Sequence, residues 1–255
     1  MSEFLDRLRG SDPVLMLAIR SSRTADVLRI AKSTGHHAVM VDLEHSTMPL
    51  DLAAALCATA GDLGLFPFVR VQEREYGAVG RLLDCGAQGI IAPRVETATE
   101  ATTVARACRF APRGQRSQLA TVPRFGMRPT PAATLNPALD DATVVQILIE
   151  TPVGVASADE IAAVDGDDML AFGATDFTAE LGVPGQYTDP RVTEAITALA
   201  EACKRHDKPL MVGGIPDPAL LASLAPLGVC PLRLTGTDTD MLYAGAAARA
   251  ERFLT

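Results

Sequence analysis

Eight short apolar runs alternate with helix-like stretches along the 255 residues, and this rhythm limits the fold more than any other feature. The runs fall at 14–19, 38–41, 66–71, 89–92, 144–149, 169–171, 209–212 and 231–234. They are continuous rather than alternating. A strand that is apolar at every position is buried on both faces, as in a parallel sheet covered by helices. Helical patterns lie between them at 24–33, 50–60, 78–85, 98–108, 157–164, 190–206 and 218–224. Eight strand–helix units in roughly 250 residues suit a closed (β/α)8 TIM barrel. We therefore expect one domain over residues 1–255, with a doubly wound open sheet as the second expectation. The pattern weakens between 111 and 141, which carries Arg113, Arg116, Arg124, Arg128 and several prolines. That length is unusual for a plain connection, so it reads as a functional or interface loop.

Composition narrows the partners. The net charge of -8 gives no basic footprint for a phosphate backbone, so neither nucleic acid nor an anionic membrane is expected. No apolar run reaches the roughly 18 residues of a membrane span. The start, MSEFLDRLRGSD, lacks the basic-then-apolar order of a secretory leader. The five cysteines are scattered, with no C-x-x-C pair. They read as small buried hydrophobes in a reducing cytoplasm, not as disulfides or a zinc site.

In a β/α barrel the working residues sit at the C-terminal ends of the strands. That rule selects Asp42, Glu44 and His45 from VDLEH, Arg70 from FVR, Glu150 from ILIE and Asp176 from GATD. Glu150 and Asp176 leave adjacent strands at one rim. Two carboxylates in a partly buried site repel, and either one takes a proton or a cation intervenes. Oxygen-only ligation with open positions suits Mg²⁺ or Mn²⁺; alternatively, each carboxylate caps a helix or pairs with an arginine. His45 is the natural proton carrier, with Asp42 or Asp84 to orient its ring, although a rim histidine can also simply bond a loop. Arg70 offers a fork for a carboxylate or keto oxygen, or else pairs with Glu73 or Glu75; Arg94 is a second candidate. His36, His37 and His206 precede strands and read as structural. Backbone N–H groups of the turn Gly173-Ala174-Thr175 open a helix and could hold a substrate carboxylate, Gly173 allowing close approach. The only lysines, Lys32, Lys204 and Lys208, fall away from strand ends. Schiff-base chemistry therefore lacks its nucleophile, and enolate formation would need a metal instead. No G-x-G-x-x-G or P-loop supports a nucleotide cofactor.

These stretches resemble the HpcH/HpaI aldolases, the metal-dependent class II pyruvate aldolases. The resemblance rests on VDLEHSTM, FVRV, LLDCGAQGIIAPRVETATEA, FAPRGQR, IETPVGVASADEIAAVDG and GATDFTAELGVPG, in that order, from about residue 35 to 190. It implies a carbon–carbon lyase that reversibly cleaves a 4-hydroxy-2-keto acid to pyruvate, or a related 2-keto acid, and an aldehyde through a metal-stabilised enolate. It implies metal ligation by Glu150 and Asp176, with Mg²⁺ or Mn²⁺ first and Co²⁺ as a further candidate. It assigns proton transfer to His45 supported by Asp42 and Asp84, keto-oxygen binding to Arg70, and carboxylate binding to amides around Ala174, Thr175 and Asp176. It further implies a homo-oligomer, hexamer or trimer, with the C-terminal helix exchanged between subunits. Two rival readings stay open: decarboxylation of oxaloacetate or a related keto diacid at the same site, and a barrel kept only for binding. The chain departs from the family at three places. Leu148 replaces a glutamine two residues before the metal glutamate, the turn reads Gly-Ala-Thr-Asp, and Ser117 replaces the glycine after Arg116. The first removes a polar neighbour that would tune the metal ligand.

Overall fold

The computed structural model describes residues 3–254. Eight parallel strands, β1 (Val14–Ile19), β2 (Ala38–Asp42), β3 (Phe66–Arg70), β4 (Gly89–Ala92), β5 (Val144–Ile149), β6 (Met169–Gly173), β7 (Leu210–Gly213) and β8 (Leu232–Thr237), pair in the order β7-β6-β5-β4-β3-β2-β1-β8. The two ends of that series meet where the Cys230 N–H donates to the Leu210 carbonyl at 2.8 Å. The result is a nearly closed (β/α)8 barrel, and the open-sheet alternative falls away.

The strands are apolar throughout because each faces two cores. On β5, Val144 and Leu148 belong to the barrel interior, whereas Val145, Ile147 and Ile149 pack against the helices. The interior is filled by Met16, Ala18, Met40, Phe68, Ile91, Met169, Ala171 and Met211. Its N-terminal mouth is plugged by the helix Glu3–Leu8, which buries Phe4, Leu5 and Leu8. Phe4 stacks on Phe66 with ring centroids 4.3 Å apart, an offset arrangement aromatic pairs favour. Gly89 is required here, because a Cβ at that position would lie 2.2 Å from the Phe68 ring.

The stretch expected to be a functional or interface loop makes structural contacts within this chain. It joins the helix Ala98–Cys108 to β5, at the barrel's N-terminal end, and its second half is the helix Ala132–Ala142 with Pro137 inside it. Arg116 pairs with Asp84 at 2.8 Å and lies over the Phe110 ring, and Arg113 reaches Asp165. In this chain these arginines stand at the end of the barrel opposite the strand C-termini. The last helix, Asp238–Leu254, buries none of its residues, and Leu242, Tyr243, Phe253 and Leu254 are exposed. No helix among the described residues is long and apolar enough to cross a membrane.

Candidate active site

The C-terminal mouth of the barrel holds a cavity of about 360 Å³. Arg20, His45, Arg70, Glu150, Gly173, Thr175 and Asp176 all line it, so five strand ends converge on one space. Asp42 lies just beneath and organises it. Its Cα is in register with that of Arg70 on the neighbouring strand. The carboxylate takes a two-point contact from Arg70, from Nε at 3.0 Å and Nη2 at 2.7 Å, and a further bond from Arg20 Nε at 2.6 Å. It also accepts the backbone N–H groups of Glu44 and His45, which fixes the loop after β2. Burial alone would raise its pKa, but Arg70 and then Arg20 outweigh that and hold it near 2.

Glu44 completes the clamp. Its Oε2 lies 3.0 Å from Arg70 Nη1 and 3.8 Å from His45 Nε2. The ring of His45 therefore has Glu44 as its acidic neighbour, while Asp42 bonds only the His45 main chain. Asp84 does not reach this site within the chain. It ends the helix Val79–Asp84 on the opposite face and bonds Arg116. Arg94 also departs from expectation. Its side chain turns to Glu180, and its backbone N–H donates to Glu150 Oε1 at 2.9 Å. His37, just before β2, accepts from the Leu15 N–H of β1, as a structural residue should.

Glu150 is buried, and Gly173 makes room for it. A Cβ on Gly173 would stand 2.6 Å from Glu150 Oε2 and 2.9 Å from its Cβ, so only hydrogen fits. Gly173 precedes the helix Ala174–Glu180, whose first turn carries Thr175 and Asp176. Thr175 is braced by its hydroxyl, which donates to the Gly214 carbonyl at 3.2 Å. Burial, then the charges of Asp176 and Glu44, push the Glu150 carboxyl up to about 7, against Arg70 and the Arg94 amide. The site lacks positive charge where Glu150 and Asp176 meet. A hard divalent cation fits that lack, and two carboxylates leave positions open for water and substrate. Among the described residues no third histidine, cysteine or acid joins them in one cluster.

Beneath Glu150, Leu148 and then Gln146 point inward at the two-residue spacing of a strand. Gln146 sits one layer below the position of the glutamine that Leu148 replaces. It is buried, its Nε2 meets only the Met211 sulfur at 3.3 Å, and its Oε1 has no partner among the described residues. The wall directly beneath Glu150 is thus the apolar Leu148, with the Gln146 amide one layer lower.

Glu150 predicts an unusual pH response. Above about pH 7 it is charged in both folded and unfolded protein, and the cost of burying that charge is felt in full. As pH falls from about 7 to 4.5 the folded protein binds the proton more tightly, so stability rises. In EDTA, wild-type protein should melt at a lower temperature at pH 8 than at pH 5.5. Glu150→Gln should shrink that difference while leaving the similarly raised Asp167 in place. Equal pH slopes in the two proteins, followed by circular dichroism, would remove Glu150 as the cause.

The sequence did not point to Arg20, and it pointed to Glu44 without its role. Arg20 follows an apolar strand as Arg70 does, so the strand-end rule could have found it. The Glu44 link between Arg70 and His45 carried no sequence signal beyond its place in VDLEH.

Comparison with known proteins agrees with this fold. Residues 16–210 match the family model for HpcH/HpaI aldolase/citrate lyase. The chain is 38% identical over 236 residues to the 4-hydroxy-4-methyl-2-oxoglutarate aldolase of Hapsidospora irregularis, covering 90% of this chain and 86% of that one. It is 36% identical over 173 residues to the hydroxypyruvate/pyruvate aldolase of Rhizorhabdus wittichii, covering 67% and 66%. The crystal structure of an HpcH/HpaI aldolase from Desulfitobacterium hafniense superposes with a TM-score of 0.90 at 25% identity, over 99% of this chain and 96% of that one. With its barrel, its paired rim carboxylates and these relatives, the chain belongs to the HpcH/HpaI aldolase/citrate lyase family of carbon–carbon lyases.

Proposed function

We propose that this protein reversibly cleaves the C3–C4 bond of a 4-hydroxy-2-keto acid, giving pyruvate and a carbonyl compound. The observation that carries this reading is the convergence of Glu150, Asp176 and Arg70 on one cavity, with Glu150 left short of a counter-charge. Glu150 and Asp176 are the residues that would hold a divalent ion, Mg²⁺ or Mn²⁺. When bound, that ion supplies the Lewis acidity that makes the carbon beside a keto group acidic.

The chain's own residues do the rest. His45 takes the proton of the C4 hydroxyl as the C3–C4 bond breaks and its electron pair moves toward the C2 keto oxygen. Glu44, 3.8 Å from His45 Nε2, offers the charged ring a counter-ion. Arg70 is fixed by Asp42 and Glu44 before substrate arrives, so its positive charge meets the developing enolate without rearrangement. Return of the proton to C3 releases pyruvate. The amides of Ala174 and Thr175 hold the substrate carboxylate. The exposed apolar residues of the helix Asp238–Leu254 support its packing on a neighbouring copy in a hexamer or trimer.

The test follows the half-reaction that needs no second substrate. With pyruvate, Mn²⁺ and D₂O, the methyl proton signal of pyruvate should decay, and EDTA should stop the decay. Undiminished exchange in EDTA would overturn the metal assignment, and absence of exchange in both would overturn the enolate chemistry.

A further inference from the structure

Arg20 is the first residue after β1, and it lines the cavity mouth. Its Nε is tied to Asp42, but its two Nη nitrogens donate to no protein group among the described residues. The main chain beneath it is pinned. The N–H groups of Arg20, Ser21 and Ser22 all donate to the Asp238 carboxylate, at 3.0, 3.1 and 2.6 Å. The result is a guanidinium held by one nitrogen and presenting two bare ones.

Position gives those nitrogens a use. β1 and β5 are four strands apart in a ring of eight, so Arg20 faces Glu150 across the mouth. A keto acid whose first carboxylate and keto group engage the Glu150–Asp176 side extends its far end toward Arg20. The other cations near the rim are committed. Arg70 is tied to Asp42 and Glu44 and already serves the keto end, while Arg94, which turns to Glu180, and Arg23, which bonds the Arg20 carbonyl, do not line the cavity. Asp238 and Asp240 also stand near Arg20, the first on its main-chain N–H and the second within range of its charge. A second substrate carboxylate would therefore need a donor at the mouth, and the bare Arg20 nitrogens supply it.

We propose that Arg20 is a specificity-determining residue that binds a second, distal carboxylate, so that the preferred substrate is a 4-hydroxy-2-keto diacid. In the synthetic direction, the acceptor is then a carbonyl compound carrying its own carboxylate, not a neutral aldehyde. A guanidinium fork gives such a carboxylate two charge-assisted hydrogen bonds. This inference rests on the aldolase reading above.

The experiment compares two substrates alike except at the far end, 4-hydroxy-2-oxoglutarate and 4-hydroxy-2-oxopentanoate, in wild-type protein, Arg20→Gln and Arg20→Lys. Wild-type protein should prefer the diacid in kcat/KM. Arg20→Gln should lower the diacid-to-neutral ratio of kcat/KM by about tenfold to a hundredfold, chiefly through a higher KM for the diacid, on top of any loss common to both substrates; Arg20→Lys should recover part of it. Damage transmitted through Asp42 would slow both substrates alike and leave the ratio unchanged. An unchanged ratio, or a wild-type preference for the neutral substrate, overturns the role of Arg20. Failure of the wild type to exchange pyruvate protons or to cleave either compound overturns the aldolase reading itself.

Discussion

Glu150→Ala and Asp176→Ala should each lower pyruvate release by about 10³-fold, the scale on which preorganised charge at a transition state acts, without unfolding the barrel. The second half of that expectation is the more telling. Glu150 is a buried acid whose pKa is driven up by burial and by Asp176 and Glu44. Taking away one of two mutually repelling acids removes a cost of folding. In EDTA both variants should therefore melt no lower than wild type. Mn²⁺ should then separate the proteins. An ion that binds only the folded state stabilises it by about 2.7 kcal/mol at a hundred times its Kd, so wild-type protein should melt higher with added Mn²⁺ and neither variant should respond. Differential scanning calorimetry with and without Mn²⁺ reads this apart from turnover. A variant that keeps both the Mn²⁺ response and pyruvate release would show that the ion, or the chemistry, lies elsewhere.

The frame that places these acids was legible in the sequence. The continuous apolar runs marked the strands because a barrel strand is buried on both faces, and β1, β4 and β5 begin and end where the runs do. The strand-end rule then carried Glu150, Asp176, Arg70 and His45 to one cavity, with Asp42 beneath it. The same rule does not select Asp84. It stands at the end of a helix, and so on the wrong face of a single chain. The stretch 111–141 was misread for a physical reason. Proline inside a helix usually costs about 3 kcal/mol, so Pro137 argued for loop. Yet the helix Ala132–Ala142 forms, with Leu135 and Leu139 buried four residues apart on one face against Phe110 and Val122. Its arginine-rich approach read as a functional or interface loop because sequence shows charge but not partners, and Asp84 and Asp165 are distant in the chain. Partnership also hid the acid beside His45. Asp42 was the obvious orienting group by spacing, but two arginines saturate its carboxylate, and Glu44 is left to face the ring.

Arg70 ties these observations to stability and rate together. Arg70→Ala would leave fully buried Asp42 with Arg20 as its remaining cation, and Glu44 without its 3.0 Å partner. Breaking a buried pair from one side typically costs about 3–5 kcal/mol. The acid response gives the sign. Burial raises the Asp42 pKa, yet the two arginines bring it from an ordinary 3.8 to about 2. That depressed value contributes stability above about pH 4, which is lost as pH falls toward 2. Without Arg70 the carboxyl titrates higher, so acid unfolding of Arg70→Ala should begin at a higher pH than in wild type. Arg70→Lys keeps the charge but cannot span both Nε and Nη2 contacts to Asp42 while also reaching Glu44. It should recover much of the acid stability and still lose about 10²-fold in pyruvate proton exchange, because a single ammonium serves either the buried acids or the enolate oxygen. Acid titration by circular dichroism and exchange by NMR on the same three proteins separate the two effects. If Arg70→Lys exchanges protons at the wild-type rate, the guanidinium is a support for Asp42 and Glu44 and not the group that meets the enolate.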